Sequence, residues 1–199
     1  MTAPEPAAGL RRAGLADVEA ISALHAGCIA EGFLATLGPR FLRRLYRRVV
    51  LSPRAFALVA DSPSGVCGYV AGAVDTGAFY REFVTRDAVI AGLTALPGIV
   101  RSPRHVWETW RYGARAEAGD AAAEILALAV APSARGQHLG GALAAAAVAE
   151  FEQRGVASAR VVTATGNISA VRAYEVAGFH RSGSDEVHRG VPQEVLTWP

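Results

Sequence analysis

Apolar residues along the chain fall alternately at helical spacing and in short strand-like runs, so the order of elements can be read before any chemistry is considered. Met1–Gly9 is a Pro/Ala tail without periodicity, expected to be disordered, and it lacks the basic opening and apolar stretch of a secretion signal. Leu10–Ala13 predicts a strand. Asp17 stands where an N-cap opens a helix carrying Val18, Ile21, Leu24 and Cys28 on one face. After the link Glu31–Gly38, the spacing of Phe41, Leu42, Leu45, Tyr46, Val49 and Val50 predicts a second helix from about Pro39 to Leu51. Arg43, Arg44, Arg47 and Arg48 occupy its other face. Phe56–Ala60 and Val66–Val74 predict two antiparallel strands joined through Asp61–Gly65.

Residues 77–119 break this rhythm and read as a helical insert. Arg86–Leu96 is helical in pattern, Pro97-Gly98 stops it, and Ser102-Pro103 opens a further short helix. The insert holds Phe79, Tyr80, Phe83, Trp107, Trp110 and Tyr112, which serve either as core anchors or as the lining of an acceptor pocket. The last third predicts strand Glu124–Val130, helix His138–Arg154, strand Ser158–Thr163 and helix Ile168–Ala177 ending at Gly178. A strand, helix, strand succession of this length implies a parallel pair with a right-handed crossover. Phe179–Ser182 and Glu194–Trp198 are expected to close the sheet as a hairpin.

The composition narrows the class. A chain of 199 residues, 51% apolar and 19% charged, suits one compact domain over residues 10–199. The formal charge of +2 gives no global basic field, so nucleic acid is not expected as a partner, although the Arg40–Arg54 stretch is the one place it would bind. Cys28 and Cys67 are too few for a disulfide framework and are expected as free thiols in a cytoplasmic protein. The apolar stretches are shorter than the ~20 residues of a membrane helix. No ligand-like pair occurs among His25, His180 and His188, so no metal is expected.

The junction Arg135-Gly136-Gln137-His138-Leu139-Gly140-Gly141 carries the candidate chemistry. A glycine-rich turn opening a helix offers unpaired backbone N–H groups and the positive end of the helix dipole to a phosphate. It lacks the Lys and Ser/Thr of a P-loop and the glycine spacing of the dinucleotide fingerprint.

Glu124–Pro132 followed by Arg135–Gly140 resembles the signature of the GNAT superfamily of N-acetyltransferases, whose pattern is Arg/Gln-x-x-Gly-x-Gly/Ala. His138 replaces the middle glycine, and a frame shifted to Gln137, Gly140 and Ala142 also fits. Asn167-Ile-Ser-Ala170 with Tyr174 and Gly178-Phe179 resembles a second motif of that family, so the resemblance is specific from about Glu124 to Phe179. It implies an α/β (α+β) fold, with a mixed, mostly antiparallel twisted sheet around a central parallel pair and a helical insert between the third and fourth strands. It also implies acetyl-CoA as cosubstrate, with pyrophosphate on Arg135, Gly136, Gln137, His138, Leu139, Gly140 and Gly141, and pantetheine beside Leu128, Ala129 and Val130 and bonded to Asn167. A bulge would splay this strand from its neighbour, and the gap would hold the thioester.

The activity so implied is transfer of an acetyl group to a primary amine of a small molecule, amino sugar or peptide by direct attack in a ternary complex. Tyr174, two helical turns beyond Asn167, is expected at the sulfur, as general acid to the departing thiolate. An amine with an ordinary pKa of about 10.4 needs help in losing its proton. Glu124 is the leading base, ahead of Glu31, Asp75 and His105. A non-catalytic acyl-CoA-binding module is the alternative, and a homodimer is common in proteins of this resemblance.

Overall fold

The computed structural model describes residues 9–29, 34, 37–87, 122–185 and 193–199. The elements are β1 (Gly9–Arg12), a 3-10 turn at Leu15–Asp17, α1 (Val18–Cys28), α2 (Pro39–Leu51), β2 (Ala55–Ser62) and β3 (Gly65–Ala73). They continue with α3 (described over 76–87), β4 (Ala123–Val130), a 3-10 turn at Pro132–Ala134 and α4 (Leu139–Gln153). The chain ends with β5 (Ala159–Ala164), α5 (Ile168–Val176), β6 (His180–Asp185) and β7 (Gln193–Trp198). Seven strands form one sheet in the order β1-β2-β3-β4-β5-β7-β6, antiparallel throughout except for the parallel pair β4 and β5. This is the mixed sheet with a central parallel pair that the sequence predicts.

The sheet lies between two cores. Ile21, Leu42, Leu45, Val59, Tyr69 and Phe79 bury one face under α1, α2 and α3. Phe56, Val70, Leu143, Phe151, Val171 and Leu196 bury the other under α4 and α5. Because β2 and β3 are covered on both sides, they read as continuous apolar runs rather than alternating ones. Their close cover is visible at Gly72, where an added Cβ would lie 2.5 Å from the Phe56 ring, itself locked edge-on against Phe151.

Two boundaries differ from the sequence reading for physical reasons, and the order of the closing hairpin, which the sequence leaves open, is settled by burial. β1 takes in Gly9, which pairs with Asp61, so the strand starts one residue inside the expected tail. α3 begins ten residues before the expected Arg86, because the Asp75 carboxylate accepts the Ala78 N–H and Phe79 and Phe83 sink into the core. At the end of the chain β7, not β6, lies next to β5. Leu196 on β7 is fully buried, whereas His180, Arg181 and Ser182 on β6 are exposed and suit an edge. Trp107, Trp110, Tyr112, His105 and Glu31 lie outside the described residues.

Arginines on α2 are less solvated than their spacing suggests. Arg44 and Arg48 both reach Asp87 on α3, Arg48 also lies 3.6 Å from Glu82, and Arg43 reaches Glu19 on α1. The helix is thereby clamped to both neighbours. Among the described residues no helix is long and apolar enough to cross a membrane.

Candidate active site

A gap opens in the middle of the sheet. β4 and β5 pair only over Ala123–Ile125 with Ala159–Val161, and beyond Ile125 β4 is held by β3 alone. On the β3 side the register skips Leu126: Ala71 faces Ala127 whereas Gly72 faces Ile125. The extra residue is a β-bulge, which bends the strand and increases its twist. Its effect on packing is direct. Ile125 belongs to the α4 core, Leu126 and Ala127 both turn to the α1 side, and Leu128 returns to the α4 side. Leu128, Ala129 and Val130 thus border a stretch whose β5-side backbone groups pair with no strand among the described residues, a geometry that accepts an extended ligand.

At the end of β4, Pro132–Ala134 turns the chain into the Arg135–Gly141 junction. Gly136 has φ 79°, and His138 takes the left-handed conformation with φ 58° and ψ 12°, immediately before α4. This explains the departure from the family pattern: the position demands left-handed backbone, and histidine meets it at a cost of about 1 kcal/mol rather than by reshaping the turn. The first intrahelical bond is Ala142 N–H to His138 C=O, so the N–H groups of Leu139, Gly140 and Gly141 have no acceptor within the helix. Gly140 and Gly141 also let α4 approach α5, since added Cβ atoms would lie 3.5 Å from Ala173 and Val176 respectively. Arg135 folds back, its Nε donating to the Val130 carbonyl at 3.4 Å.

Asn167 caps α5. Its Oδ1 accepts the Ala170 N–H at 3.2 Å and the Ser169 hydroxyl at 3.0 Å, which leaves the amide NH2 as the part suited to an outside acceptor. Tyr174, on the same helix, is buried with its ring edge-on to Phe179. Burial pushes its phenol well above the ordinary value, and the phenol is near enough to push up that of Tyr69. Tyr174 belongs to the α4/α5 core and Tyr69 to the opposite one, so this coupling runs from one face of the sheet to the other.

Glu124 lies where the parallel pairing still holds, directly opposite Arg160. Its Oε2 accepts from Arg160 Nε at 3.1 Å and Nη2 at 3.0 Å. Burial raises the Glu124 carboxyl above its ordinary value, and the guanidinium opposes that rise without cancelling it. The carboxylate in turn raises the buried phenol of Tyr80 on α3, placing the two side chains near each other.

Two features escape the sequence reading. Arg160 stands between the buried Ala159 and Val161, and a charged residue at an inner strand position was the available signal for a partner on β4. The other is a buried polar triad: His25 Nδ1 lies 2.6 Å from Tyr46 Oη and 3.0 Å from Tyr69 Oη, and the two phenols are 2.7 Å apart. Burial lowers His25 to about 4, so it is neutral at physiological pH, and its Nε2 has no partner among the described residues. Next to it in space, at the end of α1, the Cys28 thiol points at the Val130 carbonyl, 3.7 Å away. No group of three His, Cys, Asp or Glu among the described residues is arranged as a metal site.

A sheet splayed at a bulge beside a glycine-containing turn that opens a helix is the framework of an acetyltransferase. Residues 35–179 match the acetyltransferase (GNAT) family, and the chain belongs to it. No curated protein matches it. Among solved structures, a GCN5-related N-acetyltransferase from Kribbella flavida is similar at 19% identity and a TM-score of 0.65, covering 97% of this chain and 98% of that one. A ribosomal-protein-alanine N-acetyltransferase from Brucella melitensis shares 16% identity at a TM-score of 0.61, with 95% and 98% covered. AAC(6')-Ib in complex with Parmomycin and AcetylCoA shares 19% at 0.60, with 97% and 93% covered. At these identities the likeness is one of fold.

Proposed function

We propose that the protein transfers an acetyl group from acetyl-CoA to a primary amine by direct attack within a ternary complex. The observation that carries this reading is the splay of β4 from β5 at the Leu126 bulge, which frees one strand edge directly beside the Arg135–Gly141 turn. The residues present fit the cosubstrate: three N–H groups of α4's first turn suit a pyrophosphate, with Arg135, Gly136, Gln137 and His138 shaping their approach. Leu128, Ala129 and Val130 supply backbone groups for the pantetheine arm, and the Asn167 amide adds a donor. Bound there, acetyl-CoA supplies an activated acyl group and a thiolate leaving group.

The chain's own side chains divide the proton work. Tyr174 keeps its proton at neutral pH because burial disfavours the phenolate. It therefore acts as a hydrogen-bond donor to the sulfur as negative charge grows there, and complete transfer follows as the enclosed thiolate becomes more basic. Glu124 is the base for the acceptor amine. Burial makes it more basic than a surface carboxylate, while Arg160 keeps it ionised and fixes its direction. A backbone N–H freed near the bulge polarises the thioester carbonyl.

Calorimetric titration with acetyl-CoA, desulfo-CoA and S-acetylpantetheine, which lacks the pyrophosphate, tests the assignment. Micromolar binding that survives loss of sulfur and weakens when the pyrophosphate is removed is expected. Absence of binding by acetyl-CoA would contradict it, and binding without any amine-dependent turnover would instead identify a non-catalytic acyl-CoA module.

A further inference from the structure

On the helical face opposite α4 and α5, charge is distributed unevenly. Asp17 is held by Arg11, Glu19 by Arg43, Glu82 and Asp87 by Arg48 and Arg44, and Glu124 by Arg160. These carboxylates are therefore neutralised within the protein. Arg40 and Arg47, both exposed, have no partner among the described residues. They stand on one helical face, two turns apart, with Arg43 and Arg44 between them, around a cleft of about 380 Å³ that α2 forms with Leu15, Val18 and Glu19, whose carboxylate is held by Arg43. Such a cleft suits an anion and repels a polycation.

The cleft lies at the start of α1, and Cys28 at the other end of α1 touches Val130 beside the gap. Eleven residues of helix rise about 16 Å. An extended peptide covers that in about five residues at ~3.3 Å each. We propose that the Arg40–Arg47 cleft docks an acidic segment of a polypeptide acceptor whose reacting amine enters the gap within about one length of α1, about five to seven extended residues along the peptide. The inference rests on the acetyltransferase reading above and names its acceptor class: an acidic peptide, in preference to a polyamine or an amino sugar.

The test uses the full chain and synthetic peptides with a free amino terminus, carrying either two Glu or two Gln about five to seven residues from the amine. Anisotropy titration reports binding without acetyl-CoA, and thiol release reports kcat/KM with it. At low salt the Glu peptide is expected to exceed the Gln peptide about tenfold in both affinity and kcat/KM, the latter through KM, and to lose the advantage as salt screens exposed charges. In Arg40→Gln/Arg47→Gln the ratio falls towards one, and Arg40→Glu/Arg47→Glu inverts it. Equal values for the two peptides, a preference that persists in the double variant, tighter binding of an oligonucleotide than of the Glu peptide, or faster acetylation of spermidine would each overturn the docking site. Arginine-dependent peptide binding with no thiol release from any amine would leave the cleft standing and overturn the acetyltransferase reading instead.

Discussion

In the proposed reaction Tyr174 and Glu124 would divide the chemistry, because their surroundings push both towards the protonated form while only Glu124 has a counter-ion among the described residues. Among the described residues no cation offsets the burial of the phenol, so it stays a donor. Tyr174→Phe removes the hydroxyl and little volume; kcat is expected to fall at least about a hundredfold while acetyl-CoA affinity stays within about threefold, read by thiol release and calorimetry on the same sample. For Glu124 the guanidinium of Arg160 works against burial. Arg160→Met removes the attraction that favours the carboxylate, so its pKa climbs further and a larger fraction is protonated near neutrality. The acidic limb of the kcat/KM–pH profile is then expected to move to higher pH, and an unmoved limb would exclude Glu124 as the base. Both residues are candidates that the sequence offers through the family pattern. The coupling of Glu124 to Arg160 was not legible there, because parallel register is set by pairing across the crossover and not by local spacing.

Among the elements, β4 and the turn into α4 are what convert an ordinary parallel pair into a binding gap. Here His138 is the informative position. Its left-handed backbone carries a strain of about 1 kcal/mol that glycine would not have, partly offset by glycine's greater freedom in the unfolded chain. His138→Gly is expected to leave thermal stability unchanged or raise Tm by up to about 3 °C, with acetyl-CoA affinity within about threefold, since the N–H groups of Leu139–Gly141 are untouched. A marked loss of affinity would mean that the imidazole itself contacts the ligand. Periodicity located α2, α4 and α5 nearly residue for residue, since one buried stripe sets each of those helices. It could not find the Leu126 bulge, because an alanine- and leucine-rich strand buried on both faces has no alternation for an extra residue to interrupt. The start of α3 was misplaced for a related reason: Phe79 and Phe83 read as aromatics of an insert, and their four-residue spacing decides the helix only once Asp75 caps it.

At the scale of the molecule, the triad of His25, Tyr46 and Tyr69 ties α1 and α2 to β3 beneath the gap, and it gives stability a defined acid limit. His25 is lowered from 6.5 to about 4 by burial, so between those pH values the unfolded chain binds the extra proton. Stability therefore falls as pH drops below about 6.5 and this contribution levels off below about 4, with a slope of at most about 1.4 kcal/mol per pH unit. Denaturant unfolding across that range checks it against His25→Gln, in which the contribution is expected to disappear. Nothing in the spacing of His25 distinguishes it from any other helical histidine; only the sheet brings Tyr69 to it.

The central claim is that the gap between β4 and β5 is where an amine meets the thioester of acetyl-CoA. Release of the CoA thiol, measured with and without added amines, amino sugars and peptides, tests it most directly. Release that depends on one amine class, saturates, and yields one acetyl group on the amine for each thiol is the predicted result. Tight acetyl-CoA binding with no amine raising thiol release above the hydrolytic background would contradict it.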